Sequence, residues 1–325
     1  MIELKNVTKI FPGSASASVD NVSFRVNRGN ICVLLGPSGC GKTTILRMIN
    51  RLEEPSSGNI LINSENTLKA DPSVLRRSIG YVIQQTGLLP HRTVAQNIAL
   101  VPSLLGWPQQ KISSRVDELL ELMGLNLEDM ADKYPHQLSG GQMQRVGVAR
   151  AMAADPPIML MDEPFGAVDP IVRIRLQDEF LKLQQHVQKT ICFVTHDINE
   201  AIKMADYLII FNQGRLVQMG SPVEVLTSPA DDFVLSLIGD DRGVKILDLT
   251  RSETLMEPAD NISDDLLGSG CTVQSYQPVK LALEVMMKRN QDQVGVCRGN
   301  DLAGILSWTN IKKHINQVSG KKSEL

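Results

Sequence analysis

The amino-acid sequence predicts an α/β protein with a mostly parallel sheet and a second, smaller domain. Short apolar runs that suit buried strands alternate with stretches of helical periodicity over the first part of the chain. A glycine-rich loop directly follows the first of these runs. The composition then changes near Asp240, where a polar stretch rich in Asp and Ser begins. The 325 residues suffice for about two domains.

Four apolar runs read as strands that are buried on both faces, at 31–35, 158–161, 191–194 and 208–211. A helix is predicted over 111–123, because apolar residues at 112, 116, 119, 120 and 123 follow the helical period. Gly124 stands where a glycine commonly ends a helix. Alternating strands and helices favour a parallel sheet with helices packed against it.

The region after the polar stretch shows a second set of regular patterns. They predict a helix at 279–287, a strand at 294–297, a strand at 302–306 after a Gly-Asn-Asp turn, and a helix at about 309–316. The charged tail from residue 320 is expected to be frayed.

Composition and charge exclude several classes of protein. Hydrophobic residues make up 42% and charged residues 21% of the chain, which rules out disorder throughout. The 33 basic and 36 acidic residues leave a net charge of −3, which argues against a protein that coats nucleic acid. No apolar run has the length of a membrane-spanning helix and no secretory signal is visible, so a cytosolic chain is expected. The five cysteines have spacings that indicate neither a disulfide framework nor a zinc site.

The glycine-rich loop is a phosphate-binding motif. Residues Gly36 to Thr43 match GxxxxGK[ST] between a strand and a helix-like stretch, which is the context of a P-loop. Its backbone N–H groups are suited to phosphate oxygens, Lys42 to the β- and γ-phosphates, and the Thr43 hydroxyl to Mg²⁺.

An apolar strand that ends in two carboxylates complements this loop. Asp162 is predicted to hold Mg²⁺ directly or through water, and Glu163 to act on the attacking water. Many strands end in acidic residues, so the two carboxylates indicate a nucleotide site only in combination with the phosphate-binding loop.

The run from Leu138 to Gln142, Leu-Ser-Gly-Gly-Gln, lies just upstream of that strand. With it, residues 1–236 resemble the ATP-binding subunits of ABC transporters. The resemblance implies a P-loop ATPase fold with a helical subdomain at about 88–150, and ATP and Mg²⁺ as cofactors. It also implies that Phe11 stacks on adenine, that Gln84 is the Q-loop glutamine, and that His196 is the switch histidine.

The resemblance also assigns the full set of site residues, of which those that bind ATP are Phe11, Gly36, Pro37, Ser38, Gly39, Cys40, Gly41, Lys42, Thr43 and Thr44. The magnesium ligands are Thr43, Gln84 and Asp162, and the catalytic residues are Glu163, His196 and Gln84. Asp169 belongs to the D-loop, and the signature residues that contact the ATP held by another subunit are Ser139, Gly140, Gly141 and Gln142.

The sequence contains one set of these ATPase motifs. The resemblance therefore implies a homodimer of two head-to-tail copies with two ATP molecules between them. The family works with membrane permease subunits and an extracytoplasmic substrate-binding protein, so a peripheral place on the cytoplasmic face of the membrane is implied. The stretch from Gly87 to Val94 resembles the segment after the Q-loop in importer subunits, which lines the groove that binds a coupling helix of the permease. The alternative is an ordinary turn whose apolar residues are covered by its own domain.

Several further stretches resemble the quaternary-amine importers, which take up glycine betaine, choline or carnitine. They are Arg47 to Leu52, Ile79 to Gln85 and Tyr134 to Leu138. Two other functions stay open. One is an ABC importer for an amino acid, sugar or metal, and the other is an ABC ATPase that acts on nucleic acid.

The C-terminal region resembles a CBS module, which members of the quaternary-amine family often carry. The predicted organisation after residue 236 is a linker or degenerate CBS segment at 237–270, a CBS-like module at 271–318 and a tail at 319–325. Asn310 occupies the position of the acidic residue that contacts ribose in nucleotide-binding modules, which puts nucleotide binding in doubt. Support of subunit pairing and sensing of salt through basic residues such as Lys312 and Lys313 are both open roles.

Cys40 lies inside the phosphate-binding loop beside a helix N-terminus. This setting lowers the pKa of a thiol and favours the thiolate. The sequence therefore predicts a reactive Cys40 that bound ATP protects, and an inert small side chain is the alternative.

Overall fold

The computed structural model describes residues 1–83, 87–166, 168–258 and 271–318. The chain forms two compact units, Met1–Pro222 and Val223–Leu325. The boundary predicted from the sequence, after residue 236, lies later than this one. None of the helices in the described part of the chain combines the length and the hydropathy of a membrane-spanning segment.

Strands of the first unit form two sheets. The strands are β1 (Ile2–Lys9), β2 (Val19–Val26), β3 (Ile31–Leu35), β4 (Ser57–Ile62), β5 (Glu65–Asn66), β6 (Ile79–Val82), β7 (Ile158–Asp162), β8 (Thr190–Thr195), β9 (Tyr207–Asn212) and β10 (Arg215–Gly220). The smaller sheet is antiparallel, with the order β2-β1-β4-β5. The larger has the order β10-β9-β3-β8-β7-β6 and is parallel except for β10.

The four strands predicted from apolar runs are confirmed as β3, β7, β8 and β9. Every residue of β3, β7 and β8 is buried, as expected for inner strands of a sheet covered on both faces. The antiparallel sheet is an addition to the predicted architecture. Its pairing of β1 with β4 joins strands on opposite sides of β3 in the chain, which no local pattern indicates.

The helices of the first unit are α1 (Lys42–Ile49), α2 (Pro72–Arg77), α3 (Val94–Ile98), α4 (Leu100–Leu104), α5 (Gln109–Leu122), α6 (Leu127–Met130), α7 (Gly140–Met152), α8 (Pro170–Val187) and α9 (Ile198–Met204). The predicted helix at 111–123 is confirmed as α5, and its predicted apolar face is buried. Gly124 has φ +61° and donates its N–H to the Glu121 carbonyl at 2.9 Å, so it ends the helix as expected.

One apolar core holds the phosphate-binding end of the first unit in place. Ile45, Leu46 and Ile49 of α1 pack in the same cluster as Leu34 of β3 and Val194 of β8. Because α1 and β3 share this core, the loop between them has both ends anchored.

The second unit contains one four-stranded sheet and several helices. Its elements are α10 (Pro222–Thr227, beginning at the boundary), α11 (Asp232–Ile238), α12 (Arg242–Leu249), α13 (Ser252–Leu255), β11 (Glu257–Pro258), β12 (Thr272–Gln274), α14 (Val279–Arg289), β13 (Gln293–Arg298), β14 (Asp301–Ser307) and α15 (Trp308–Val318). The sheet order is β11-β14-β13-β12, with β12 parallel to β13. The predicted helices and strands after residue 278 are confirmed.

The polar stretch after Asp240 is partly ordered. It contains α12, whose Leu247 is buried in the same cluster as Val279, Val294 and Ile311. That part of 237–270 therefore belongs to the core of the second unit. Residues 259–270 and the tail from 319 lie outside the described residues.

Candidate nucleotide-binding site

The candidate catalytic residues lie at one edge of the larger sheet. β3, β8 and β7 are parallel neighbours, so their carboxyl ends share that edge, where open α/β sheets bind ligands. The glycine-rich loop follows β3 and His196 follows β8. Asp162 is the last residue of β7, and Glu163 comes directly after it. The fold therefore brings together groups that are widely separated in the chain.

Two glycines are required by the close approach of other backbone segments to the loop. Gly36 has φ +157°, and a Cβ there would lie 2.3 Å from the Phe211 carbonyl oxygen. Gly41 has φ +105°, and a Cβ there would lie 2.3 Å from the Ser18 carbonyl oxygen. Any side chain at either position would displace backbone, which explains the glycines of this motif physically.

Lys42 is buried at the start of α1 and bonds to the loop that precedes it. Its Nζ donates hydrogen bonds to the carbonyl oxygens of Gly36 at 2.7 Å and Pro37 at 2.8 Å. The ammonium group is thus held beneath the exposed tip of the loop, Pro37 to Gly39. A phosphate bound by the loop would meet this positive charge.

Thr43 and Asp162 meet across the site. The Thr43 hydroxyl donates to Asp162 Oδ1 at 3.1 Å. Burial raises the pKa of the Asp162 carboxyl, while the bond from Thr43 opposes this and the nearby Glu163 charge adds to it. Hydroxyl and carboxylate oxygens are ligands that Mg²⁺ prefers, so the pair fits this ion. Gln84, the third predicted ligand, lies outside the described residues.

Glu163 and His196 form a second pair beside the first. His196 Nδ1 lies 3.1 Å from Glu163 Oε1, and the His196 side chain is 59% exposed. Glu163 has φ +47°, a left-handed conformation that a residue with a Cβ rarely adopts. Its N–H donates to the Val194 carbonyl of β8 at 3.0 Å, which joins the two strand ends.

The predicted adenine-stacking ring is partly exposed. Lys9 Nζ lies 4.9 Å from the centroid of the Phe11 ring, a cation–π contact. Ser14 and the residues 16–18 line a cavity together with Gly39 and Gln213. The Ser18 hydroxyl is 3.3 Å from that of Thr44. Sequence reasoning missed this serine-rich loop. Gly41, whose missing side chain leaves space for the Ser18 carbonyl, is the one sequence feature that indicates this loop indirectly.

The signature residues form a separate, solvent-exposed feature. Ser139 caps α7: its Oγ accepts from the Gln142 N–H at 3.3 Å, and its own N–H donates to Gln142 Oε1 at 2.9 Å. Ser139 and Gly140 are exposed. This helix start is therefore accessible to an anion.

Asp169 has a local structural role in the described chain. Its Oδ1 accepts from the Val172 N–H at 3.0 Å and so caps α8. The cap defines where the loop after β7 ends.

The Gly87–Val94 stretch is organised by a residue that sequence reasoning missed. Asn97 is fully buried and its Nδ2 donates to the carbonyls of Leu89, Arg92 and Thr93 at 2.9–3.2 Å. Its Oδ1 accepts from the Leu89 N–H at 2.8 Å. Asn97 thus makes four side-chain hydrogen bonds to this loop, and nothing in its sequence context distinguishes it from a surface residue.

Cys40 corrects one expectation. The residue is only 4% exposed, and burial raises the pKa of its thiol, outweighing the opposing effect of Lys42. The sequence-based prediction of a favoured thiolate is therefore wrong. Proximity to a helix N-terminus and a lysine does not compensate for the loss of water around the sulfur.

We expect Cys40 to be alkylated much more slowly at pH 7 than a peptide cysteine. The raised pKa leaves less thiolate at any given pH. The alkylation rate should therefore still be rising when the pH exceeds 9.0, the ordinary thiol pKa. Iodoacetamide incorporation, followed by mass spectrometry, measures this, with Cys40→Ser identifying the site among five buried thiols. Peptide-like labelling at pH 7 would contradict the prediction.

Comparisons with known proteins agree with this geometry. Residues 19–166 match the family model described as ABC transporter. The chain is 46% identical over 321 residues to the glycine betaine/carnitine/choline transport ATP-binding protein OpuCA of Bacillus subtilis, covering 98% of this chain and 81% of that protein. It is 54% identical over 250 residues to the osmoprotectant import ATP-binding protein OsmV of Salmonella typhimurium, covering 76% of this chain but 65% of OsmV, slightly under two thirds.

A solved structure shares the fold of the first unit. A dimeric ATP-binding cassette in a post-hydrolysis state, bound to ADP and Pi, matches with a TM-score of 0.63 and 34% sequence identity. The match covers 68% of this chain and 99% of that one. The predicted P-loop ATPase fold is therefore confirmed.

Proposed function

The chain belongs to the ATP-binding subunits of ABC transporters, and from this we propose that it hydrolyses ATP to drive the import of a quaternary-amine osmoprotectant. Glycine betaine, choline and carnitine are the candidate substrates. The observation that carries the proposal is the 46% identity to a glycine betaine/carnitine/choline transport subunit over 98% of the chain. That alignment extends through both units.

In this proposal the edge of the larger sheet binds the nucleotide. The loop from Gly36 to Gly41 surrounds the phosphates, Lys42 leaves its carbonyl partners to contact the β- and γ-phosphates, and adenine stacks on Phe11. Thr43 and Asp162 hold Mg²⁺, which supplies positive charge to the phosphate oxygens when bound. Gln84 is the remaining proposed ligand.

Glu163 and His196 act on the γ-phosphate. Glu163 orients the attacking water and accepts its proton as the water oxygen bonds to the γ-phosphorus and the bond from that phosphorus to the bridging β–γ oxygen breaks, which releases ADP and phosphate. His196 contacts the γ-phosphate from the carboxyl end of the neighbouring strand, β8. The observed 3.1 Å contact between Glu163 and His196 supports a shared target for the two side chains.

The exposed signature helix needs a second copy of this chain. ATP bound by one copy would meet the N–H groups of Gly140 and Gly141 in the other, and Ser139 and Gln142 would frame them. The dimeric cassette that matches the first unit supports this arrangement. A homodimer thus encloses two ATP molecules.

The permease would contact the helical part of the first unit. Leu104 and Leu105, at the end of α4, are 59% and 41% exposed, and α3 separates α4 from the Asn97-ordered loop in the chain. Such exposed apolar side chains are typical of interaction sites. With permease subunits and an external binding protein, the chain would act as a peripheral protein on the cytoplasmic face of the membrane.

The second unit would be a CBS-like module that either regulates transport or supports the pairing of two subunits. Asn310 Nδ2 donates to Glu257 Oε1 at 2.9 Å, and its N–H donates to Ser307 Oγ at 3.2 Å. These bonds use Asn310 within the unit. They favour a role without nucleotide over one with a bound adenosine ligand.

Reconstitution tests the proposed function directly. The subunit, its permease and its binding protein are placed in liposomes loaded with ATP, and uptake of radiolabelled glycine betaine, choline and carnitine is measured. We expect ATP-dependent uptake of at least one quaternary amine, and sulfate and maltose serve as control substrates. Uptake of a control substrate without any quaternary amine would contradict the proposal.

A further inference from the structure

Two loops that are distant in the sequence meet at the side chain of Arg173, in the first turn of α8. Its Nη2 donates to the Val168 carbonyl at 3.0 Å, in the loop between β7 and α8. Its Nη1 lies 3.7 Å from Asp197 Oδ2, in the loop between β8 and α9. The first loop carries Asp169 and the second carries His196.

Asp197 connects this contact to His196, its direct neighbour in the chain. Its Oδ1 accepts from the N–H groups of Asn199 at 2.8 Å and Glu200 at 3.3 Å, and so caps α9. The other oxygen faces Arg173. The same carboxylate thus fixes the start of α9 and receives the guanidinium, which ties the backbone at His196 to Arg173.

A second contact between α8 and α9 keeps the two helices in register. Gln177 Nε2 donates to Glu200 Oε1 at 3.0 Å, and both residues are buried. Because α8 and α9 are joined there independently, loss of Arg173 would free the loops without separating the helices.

The guanidinium group suits this position better than an ammonium would. The Arg173 side chain is 27% exposed, and its Nε is buried without a hydrogen-bond partner among the described residues. A planar fork can reach a carbonyl and a carboxylate in different directions, whereas a lysine presents one compact charge.

We propose that Arg173 is a positioning residue for ATP hydrolysis. It holds the loop that follows Glu163 and carries Asp169, and the loop that carries His196, in one geometry, so that His196 stays beside Glu163 at the reacting phosphate. Arg173 itself touches neither ATP nor the attacking water. The inference rests on the proposed function in one respect, since it takes His196 to contact the γ-phosphate.

The experiment measures ATP hydrolysis and ATP binding by the full-length subunit without permease. We expect Arg173→Leu to lower kcat about 10- to 100-fold, the scale of a loss when a reacting group shifts by an ångström. The Kd for ATP should stay within about twofold, because Lys42 and Thr43 are untouched. Arg173→Lys should recover part of kcat. Arg175→Leu, on the same helix in an exposed pair with Glu179, is the matched control and should leave kcat unchanged.

A double-mutant cycle with Asp197→Asn tests the connection. Asparagine preserves the cap of α9 but removes the charge that faces Arg173. If the two residues act as one link, the double variant should be no slower than the slower single variant. Circular dichroism and melting curves check folding. If Arg173→Leu fails to fold, the same double-mutant cycle is measured with Arg173→Lys in its place.

A normal kcat in the folded Arg173 variants, or losses that multiply fully in the cycle, would overturn the inference. A fall in ATP affinity equal to the fall in kcat/KM would do so too, because it would show a binding defect. Since no transport is measured, failure to import quaternary amines in liposomes would refute the proposed function and leave this result standing.

Discussion

Replacement of Glu163 by glutamine should lower ATP hydrolysis by a factor of about 10²–10⁴, the loss expected when a general base is removed. Glutamine has nearly the same shape but cannot accept the proton of the attacking water. ATP binding should survive, because Lys42, Thr43 and Asp162 remain. The ATP-bound homodimer should then persist, since the γ-phosphate that joins the two copies is no longer removed.

Two measurements check this prediction together. Phosphate release gives the turnover rate, and size-exclusion chromatography with ATP and Mg²⁺ gives the dimer. Glu179→Gln, on the surface of α8 and paired with Arg175, is the control for loss of a carboxylate elsewhere. Turnover of Glu163→Gln within twofold of the unchanged chain would remove Glu163 from its proposed role.

Replacement of Lys42 by alanine should have the opposite profile, with ATP binding lost first. Removing one partner of a buried charge pair costs about 2–5 kcal/mol, or roughly 30- to 4000-fold in Kd. Lys42 Nζ donates to the carbonyl oxygens of Gly36 at 2.7 Å and Pro37 at 2.8 Å. Without the lysine, the bound phosphates would face these oxygens with no positive charge between them.

Equilibrium binding of a fluorescent ATP analogue measures this loss. Lys5→Ala removes an exposed lysine of β1 and controls for the change in net charge. Melting curves in the absence of nucleotide show whether the loop still folds. An ATP Kd for Lys42→Ala near that of Lys5→Ala would contradict the assigned role.

Local patterns were sufficient to predict the phosphate-binding loop, the buried strands and the last helices. A run such as Ile31–Leu35 carries its own burial signal, and the motif from Gly36 to Thr43 has fixed spacing. The proposed roles of Asp162 and Glu163 follow from their place at the end of such a run. These features need only neighbouring residues to be recognised.

Features that depend on distant segments were not predictable in this way. The pairing of β1 with β4, the carbonyl bonds of Asn97 and the double contact of Arg173 each depend on where the folded chain brings a partner. Cys40 shows the same limit for electrostatics. Its lysine and its helix are visible in the sequence, but the burial that outweighs them arises from the fold.

The left-handed backbone at Glu163 implies a trade-off between stability and activity at the centre of the site. Such a conformation costs a residue with a Cβ about 1–2 kcal/mol, which glycine would not incur. The Glu163 carboxylate also repels Asp162, and its charge adds to the effect of burial in raising the pKa of the Asp162 carboxyl. Selection for stability alone would favour glycine or asparagine at this position. Glutamate there therefore lowers the stability of the chain, which is the expected cost if Glu163 has the proposed catalytic role.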